Sequence, residues 1–388
     1  MNRIENRKFS APRGFYILSF AAALVPALIL LFRFGRTWIP VVIVLGAVAV
    51  VGWLMLRRCG RGTASLLLSL ALLNLLVVVP ELVLRLTGFR YAAGIQFGHE
   101  QHAHFDLYVP DVDLFWRLPA GRSGGNQWGF PGHDPAVPKP PNLYRIMFLG
   151  DSCTMQGYPY KLHVSLNENH ATPDRSFDCV NMALAGYTSF QGRRVTDLYG
   201  EKLQPDLVTV YFGWNDHWAA YGAADRDKKI DLATRRILGG SRFLQFLMKA
   251  LADTGLSRPQ PLDVFRVSIA DYEANLRYIQ AFFAERDVPV IFLTAPTSHY
   301  RLGVPARTIE EKLGQAAAGI QEAHRAYNDV VRRVAEQTQS ELIDLEQHFE
   351  AEAAIEPFFT ADGIHLTDRG LARIAAQIER HLMRRLER

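Results

Sequence analysis

A short apolar run, Tyr144-Arg145-Ile146-Met147-Phe148-Leu149, ends on Gly150-Asp151-Ser152, and a more polar stretch able to start a helix follows. Such a run reads as a buried strand, so Ser152 falls where a strand gives way to a helix. A side chain at that point stands above the carboxyl edge of a parallel sheet, where α/β folds place their sites. The free N–H groups of the helix start face the same point and favour negative charge. A hydroxyl that attacks a carbonyl needs both exposure and donors for the oxyanion it creates. Taken alone, Gly-Asp-Ser is also an ordinary helix N-cap, so the weight rests on what lies downstream.

Strand and helix patterns alternate from Tyr144 onward. Strands are expected at Tyr144–Leu149, Phe177–Asn181, Leu207–Phe212, Val288–Thr294 and Leu342–Asp344. Helices are expected at Ser189–Leu203, Val267–Glu285, Ile309–Gln339 and Thr367–Leu386. Short apolar strands alternating with helices predict an α/β fold with three layers, a doubly wound parallel sheet covered on both faces. Three further loops should gather at the same sheet edge as Ser152. Ala183-Leu184-Ala185-Gly186 follows the second strand, and a glycine there lets the backbone approach a ligand and offer its N–H. Gly213-Trp214-Asn215-Asp216 follows the third strand, where an Asn side chain can donate to an oxyanion. Asp362-Gly363-Ile364-His365 precedes the last helix, and Asp362 can reach His365 Nδ1 while Nε2 faces a serine. Each piece has an ordinary reading as a turn, a cap or a structural histidine; their order and placement are what single them out.

That set resembles the SGNH hydrolase family, also called the GDSL family, whose four blocks are named for Ser, Gly, Asn and His. Here they fall on Ser152, Gly186, Asn215 and His365, with Asp362 completing the last block, and the resemblance covers about Tyr144 to Arg388. It implies a flavodoxin-like sheet and acyl-ester chemistry. His365 would take the Ser152 proton and Asp362 would orient the imidazolium. The Ser152 and Gly186 N–H groups and the Asn215 amide would hold the oxyanion. No metal or organic cofactor is required. The chain departs from the pattern in Cys153 after the nucleophile and in a long insertion, about Ala219 to Pro261, after the third block. An acyl-ester substrate on a glycan or lipid is the expected partner, and hydrolysis the expected reaction. The same triad would serve an O-acyltransferase of a cell-surface polysaccharide supplied by a membrane acyl donor partner. A non-catalytic envelope subunit is a third reading, which an intact triad disfavours.

The N-terminal residues carry a separate message. Gly14–Phe32 and Trp38–Leu56 are uncharged apolar runs of 19 residues each, and Thr63–Leu84 is a third, interrupted by Asn74, Pro80 and Glu81. At about 1.5 Å per residue the first two would each reach roughly 28 Å, the hydrocarbon thickness of a bilayer. Three transmembrane helices are therefore expected in a membrane anchor over 1–90. Four basic residues precede the first run, two follow it and three follow the second, which puts the N-terminus inside. Three spans then leave the catalytic domain, 141–388, extracytoplasmic on a multi-pass cell-membrane protein. The net charge of +4 is too mild to imply nucleic acid.

Residues 91–140 connect anchor and domain. His99, His102 and His104 invite a metal reading, but Ala103 breaks the His-Glu-x-x-His spacing, and a solvated segment is favoured. Phe115, Trp116, Trp128 and Phe130 could line a carbohydrate cleft or pack the extension onto the domain; packing is favoured. The insertion carries Phe243, Leu244, Phe246, Leu247 and Leu251 at amphipathic-helix spacing, suited to a lid, a membrane-surface helix or packing. Glu81 reads as an interfacial carboxylate rather than a functional one. Cys153 adjoins the end of the first strand and Cys179 lies within the second, its expected neighbour, so a disulfide is conceivable, though buried thiols are favoured.

Overall fold

The structure, a computed structural model, describes residues 76–89, 108–122, 124–228, 240–254, 261–306 and 319–387. Contacts divide the chain into two units, Met1–Ala93 with Ala233–Ser257, and Gly94–Leu232 with Arg258–Arg388. The second unit is the α/β body. Its N-terminal extension carries β1 (Val109–Asp111) paired antiparallel with β2 (Phe115–Arg117). There follow β3 (Leu143–Gly150), α1 (Ser152–Met155), α2 (Tyr158–Asn169), β4 (Ser176–Asn181), α3 (Ser189–Leu203), β5 (Leu207–Tyr211) and β6 (Ala219–Tyr221). α4 (Arg242–Asp253) belongs to the first unit. The body resumes with β7 (Pro261–Phe265), α5 (Ile269–Ala284), β8 (Val290–Leu293), α6 (His299–Leu302), α7 (Ile320–Gln337), β9 (Glu341–Ile343), α8 (Leu345–Glu350) and α9 (Asp368–Leu386).

The central sheet has five strands in the order β4-β3-β5-β8-β9, all parallel. Alternate residues of each strand go to opposite faces, and both faces are apolar, as a sheet covered on both sides requires. Met147, Leu149, Val208 and Val210 join one core with α3, α5, α7 and the N-terminal extension. Ile146, Phe148, Leu207 and Tyr211 join the other with α2, α8 and α9. The expected strands and the three-layer order are present, with ends shifted by one or two residues. β6 and β7 pair antiparallel at the two ends of the inserted stretch.

The extension's aromatics pack rather than line a cleft. Trp116 and Phe130 are buried, Phe115 stacks on Phe190 with centroids 5.6 Å apart, and Trp128 stacks on Tyr199 at 5.3 Å. A buried guanidinium ties this segment down: Arg145 donates to Asp178 at 2.8 Å, to Leu203 O and to Ala136 O, and His133 takes the other Asp178 oxygen. Cys153 and Cys179 are buried and are not joined to each other. β3 and β4 are neighbours, but the register sets Cys179 opposite Ile146, seven positions before Cys153, so no bridge can form.

Among the described residues no helix is long and apolar enough to cross a membrane. The apolar runs 14–32 and 38–56, most of 63–84, and the histidines at 99–104 lie outside the described residues.

Candidate active site

Ser152 owes its position to a turn that only glycine can make. A Cβ at Gly150 would lie 2.1 Å from Thr154 Oγ1 and 3.1 Å from Tyr211 O, so β3 can pass directly into α1 only without a side chain there. Asp151 caps α1, its Oδ1 accepting from Cys153 N at 2.9 Å. Asp151 is fully buried, and burial pushes its carboxyl up to about 6, against the opposing pull of the Cys153 N–H and the nearby His365. Ser152, as the first helical residue, has an N–H with no intrahelical acceptor.

His365 Nε2 stands 2.8 Å from Ser152 Oγ, and His365 Nδ1 stands 2.5 Å from Asp362 Oδ2. The other Asp362 oxygen accepts from Ile364 N at 3.0 Å, His365 N at 2.9 Å and Thr360 Oγ1 at 2.8 Å. Burial works to raise the Asp362 carboxyl, but the His365 ring and these N–H donors outweigh it and hold it well below the usual carboxylate range. Asp362 is thus an anion fixed in place against Nδ1, which leaves Nε2 to face the serine.

The loop holding the pair is fastened from three sides. Thr297 Oγ1 and Ser298 N donate to Gly363 O at 2.9 and 3.0 Å, and His299 Nε2 lies 2.7 Å from Asp362 O. Gln156, one turn beyond Ser152, accepts from Leu366 N at 3.1 Å and donates to Leu366 O at 3.4 Å, tying the serine segment to the histidine segment.

The Gly186 loop is held carbonyl by carbonyl. Tyr187 N donates to Leu184 O at 3.1 Å, and Trp116 Nε1 to Ala185 O at 3.1 Å. Arg266 Nη1 donates to Gly186 O at 2.8 Å, and Asn215 Nδ2 to Tyr187 O at 3.0 Å. Gly186 has φ +80°, a left-handed conformation that favours glycine. Arg266 is itself braced by the buried Asp225, at 2.8 Å through Nη2. Burial acts to raise the Asp225 carboxyl, but Arg266 and Lys228 outweigh it and hold it low.

Asn215 reaches Asp151 Oδ2 with the same Nδ2 at 3.5 Å, at the limit of a hydrogen bond, so one amide hydrogen is only loosely held. Beneath it Asp216 accepts from Ser189 N, Ser189 Oγ and Gly213 N at 2.9, 2.6 and 3.2 Å, joining the second and third loops. Burial pushes the Asp216 carboxyl up to about 7 against those donors.

All five residues singled out in the sequence therefore come to one edge of the sheet: Ser152, His365 and Asp362 in a hydrogen-bonded line, Gly186 and Asn215 joined through Tyr187. Sequence reasoning missed Gln156 and Arg266, and read Trp116 as a packing residue without its hold on the Gly186 loop. Gln156 carried a signal, being four residues after Ser152 on the same helical face. Arg266 lies outside the strand-helix alternation and carried none.

A serine-histidine-aspartate line at the carboxyl edge of a doubly wound sheet is an arrangement suited to nucleophilic acyl chemistry. The model of the GDSL-like lipase/acylhydrolase family matches residues 148–373, more than half of the chain, and the chain belongs to that family of ester-bond hydrolases. No curated protein matches it. Solved structures similar in fold include a lipase/acylhydrolase from Enterococcus faecalis, with 18% identity, 62% of this chain and 96% of that one covered, and a TM-score of 0.42. Another is a GDSL-like lipase from Bacteroides thetaiotaomicron, with 15% identity, 62% and 88% coverage, and a TM-score of 0.40. A third is the psychrotrophic esterase EstA from Pseudoalteromonas sp., with 12% identity, 63% and 99% coverage, and a TM-score of 0.39.

Proposed function

We propose that the chain is a membrane-anchored, extracytoplasmic serine esterase that removes short acyl groups, acetyl among them, through an acyl-serine intermediate. One observation carries the chemistry: His365 Nε2 lies 2.8 Å from Ser152 Oγ while Asp362 holds Nδ1. His365 takes the Ser152 proton as Oγ attacks the acyl carbonyl, and Asp362 stabilises the imidazolium without itself taking the proton. The oxyanion of the tetrahedral intermediate is held by the Ser152 and Gly186 N–H groups and the loosely held Asn215 amide hydrogen. The imidazolium returns its proton to the departing alcohol, leaving the acyl-serine. Water, deprotonated by His365, then attacks the acyl carbon, and Ser152 leaves with a proton.

Asn215→Ala is expected to lower kcat on the order of 10²–10³-fold with a smaller change in KM, because its donor acts on charge that exists only in the transition state. An unchanged kcat would take Asn215 out of the oxyanion site.

The membrane reading rests on the three apolar runs and the basic residues between them. Protease added to intact cells, with any outer layer permeabilised, should degrade a C-terminal tag. Protection of the tag until the inner membrane is lysed would reverse the topology.

The activity itself is tested with the full chain in liposomes, on nitrophenyl esters of increasing acyl length and on acetylated glycans. Release of free acid at a rate that falls as the acyl chain lengthens supports the reading. Transfer to an added polysaccharide hydroxyl with no free acid would replace hydrolysis by acyl transfer.

A further inference from the structure

The two described helices of the first unit are built inside out. Residues 76–86 are helical and continue the third apolar run. The most buried side chain described in that helix is Glu81, at 8% exposure, while Leu76 stands 66% exposed and Val79, Val83 and Leu86 face outward with it. α4 repeats the inversion. Gln245 is 4% exposed, whereas Leu251 is 54% exposed and Phe246 and Leu247 share its outward face. Scattered exposed leucines are ordinary on a water-soluble surface. Two adjoining helices that each turn a polar side chain inward and their aliphatic faces outward are not. Intramembrane carboxylates behave this way, facing protein and finding partners there.

The two helices are joined by the groups they bury. Glu81 Oε2 accepts from Phe243 N at 2.7 Å and Ser241 Oγ at 2.8 Å, taking donors that the start of α4 would otherwise leave unmatched. Glu81 Oε1 accepts from Arg85 Nε at 2.7 Å, and Arg85 Nη2 donates to Gly240 O at 2.6 Å. Phe89 meets Phe246 edge to face with centroids 6.0 Å apart. A carboxylate within the third apolar run is thus the docking point for a helix that follows it by some 160 residues in sequence.

We infer that α4 is a membrane-inserted helix, docked through Glu81 and Arg85 on the end of the third span, with Phe246, Leu247 and Leu251 in contact with lipid acyl chains. The inference rests on the membrane-anchored reading above and extends it to a segment far downstream. The occupant is lipid because α4 is docked on 76–86, and 76–86 continues a run of spanning length. An amphipathic helix with its apolar side in the acyl boundary is a stable interfacial arrangement. A lid working in water would turn the same residues toward protein.

The test places single cysteines in the full chain, on a Cys59→Ala background, for a polarity-sensitive fluorophore; the buried Cys153 and Cys179 stay unlabelled. Leu247→Cys and Leu251→Cys report α4, Leu70→Cys reports the third run, and Glu201→Cys reports an exposed position on α3. In liposomes, brominated lipid is expected to quench the labels at 247, 251 and 70 about threefold more than aqueous iodide does, with the reverse at 201. Lipid quenching at 70 with iodide quenching at 247 and 251 would leave the anchor in place and overturn the inference. Quenching by neither agent at 247 and 251 would show those positions covered by protein and overturn it equally. Absence of lipid quenching at 70 would remove the anchor itself.

Discussion

Replacing Ser152 by alanine should lower kcat for any ester the enzyme cleaves on the order of 10⁴- to 10⁶-fold, about 5–8 kcal/mol of transition-state stabilisation. In the proposed mechanism Ser152 is the nucleophile, the one group that water cannot replace within the same geometry. The residual rate should remain above that of free solution, because the donors around Gly186 and Asn215 persist and still polarise the carbonyl. The fold should survive. Among the described residues Ser152 Oγ hydrogen-bonds to His365 alone, and α1 is capped by Asp151, not by Ser152. A melting temperature within a degree or two of the parent would show that activity, not structure, was lost. Turnover retained in the pure variant would remove Ser152 from the chemistry.

Substituting His365 by alanine should cost nearly as much, and Ser152→Ala/His365→Ala hardly more than either alone. Members of a triad act as a unit: once the base is gone the hydroxyl is a weak nucleophile, and once the hydroxyl is gone the base has no proton to take. This substitution is also tolerable to the fold. Asp362 would keep its bonds to Ile364 N, His365 N and Thr360 Oγ1, so its carboxylate is not stranded. Asp362→Ala should hurt catalysis less, since His365 can still act as a base. It would also loosen the loop, because those same three donors lose their acceptor. Steady-state kcat across the four proteins decides: multiplicative losses in the double variant would mean that Ser152 and His365 act independently.

The parts of this fold that were legible are those a linear pattern specifies. β3 and β5 are apolar apart from Arg145 and Thr209 because both sheet faces are covered, and that signal does not depend on distant residues. The ends were less legible because tertiary contacts set them. β8 begins at Val290, where pairing with Val208 starts, while Val288 N turns back to Phe283 O, so the apolar residue at 288 never joins the sheet. α5 begins at Ile269 because Ser268 caps it, accepting from Asp271 N. The line of Ser152, His365 and Asp362 was legible because its members sit on loops whose positions the alternation fixes. The supports of the Gly186 loop were not. Trp116 comes from an extension before the first sheet strand and Arg266 from the end of the inserted stretch, and only the folded chain brings both to consecutive carbonyls. The role of Glu81 was hidden for the same reason. A lone carboxylate in an apolar run suggests an interface, but its partners, Ser241 and Phe243, lie far along the chain.

The most direct test of the central claim is to treat the full chain with a fluorophosphonate, digest it, and locate the adduct by mass spectrometry. Phosphonylation confined to the peptide bearing Ser152, and lost in His365→Ala, is the result this account predicts. An adduct on another residue, or none from a preparation that hydrolyses esters, would contradict it.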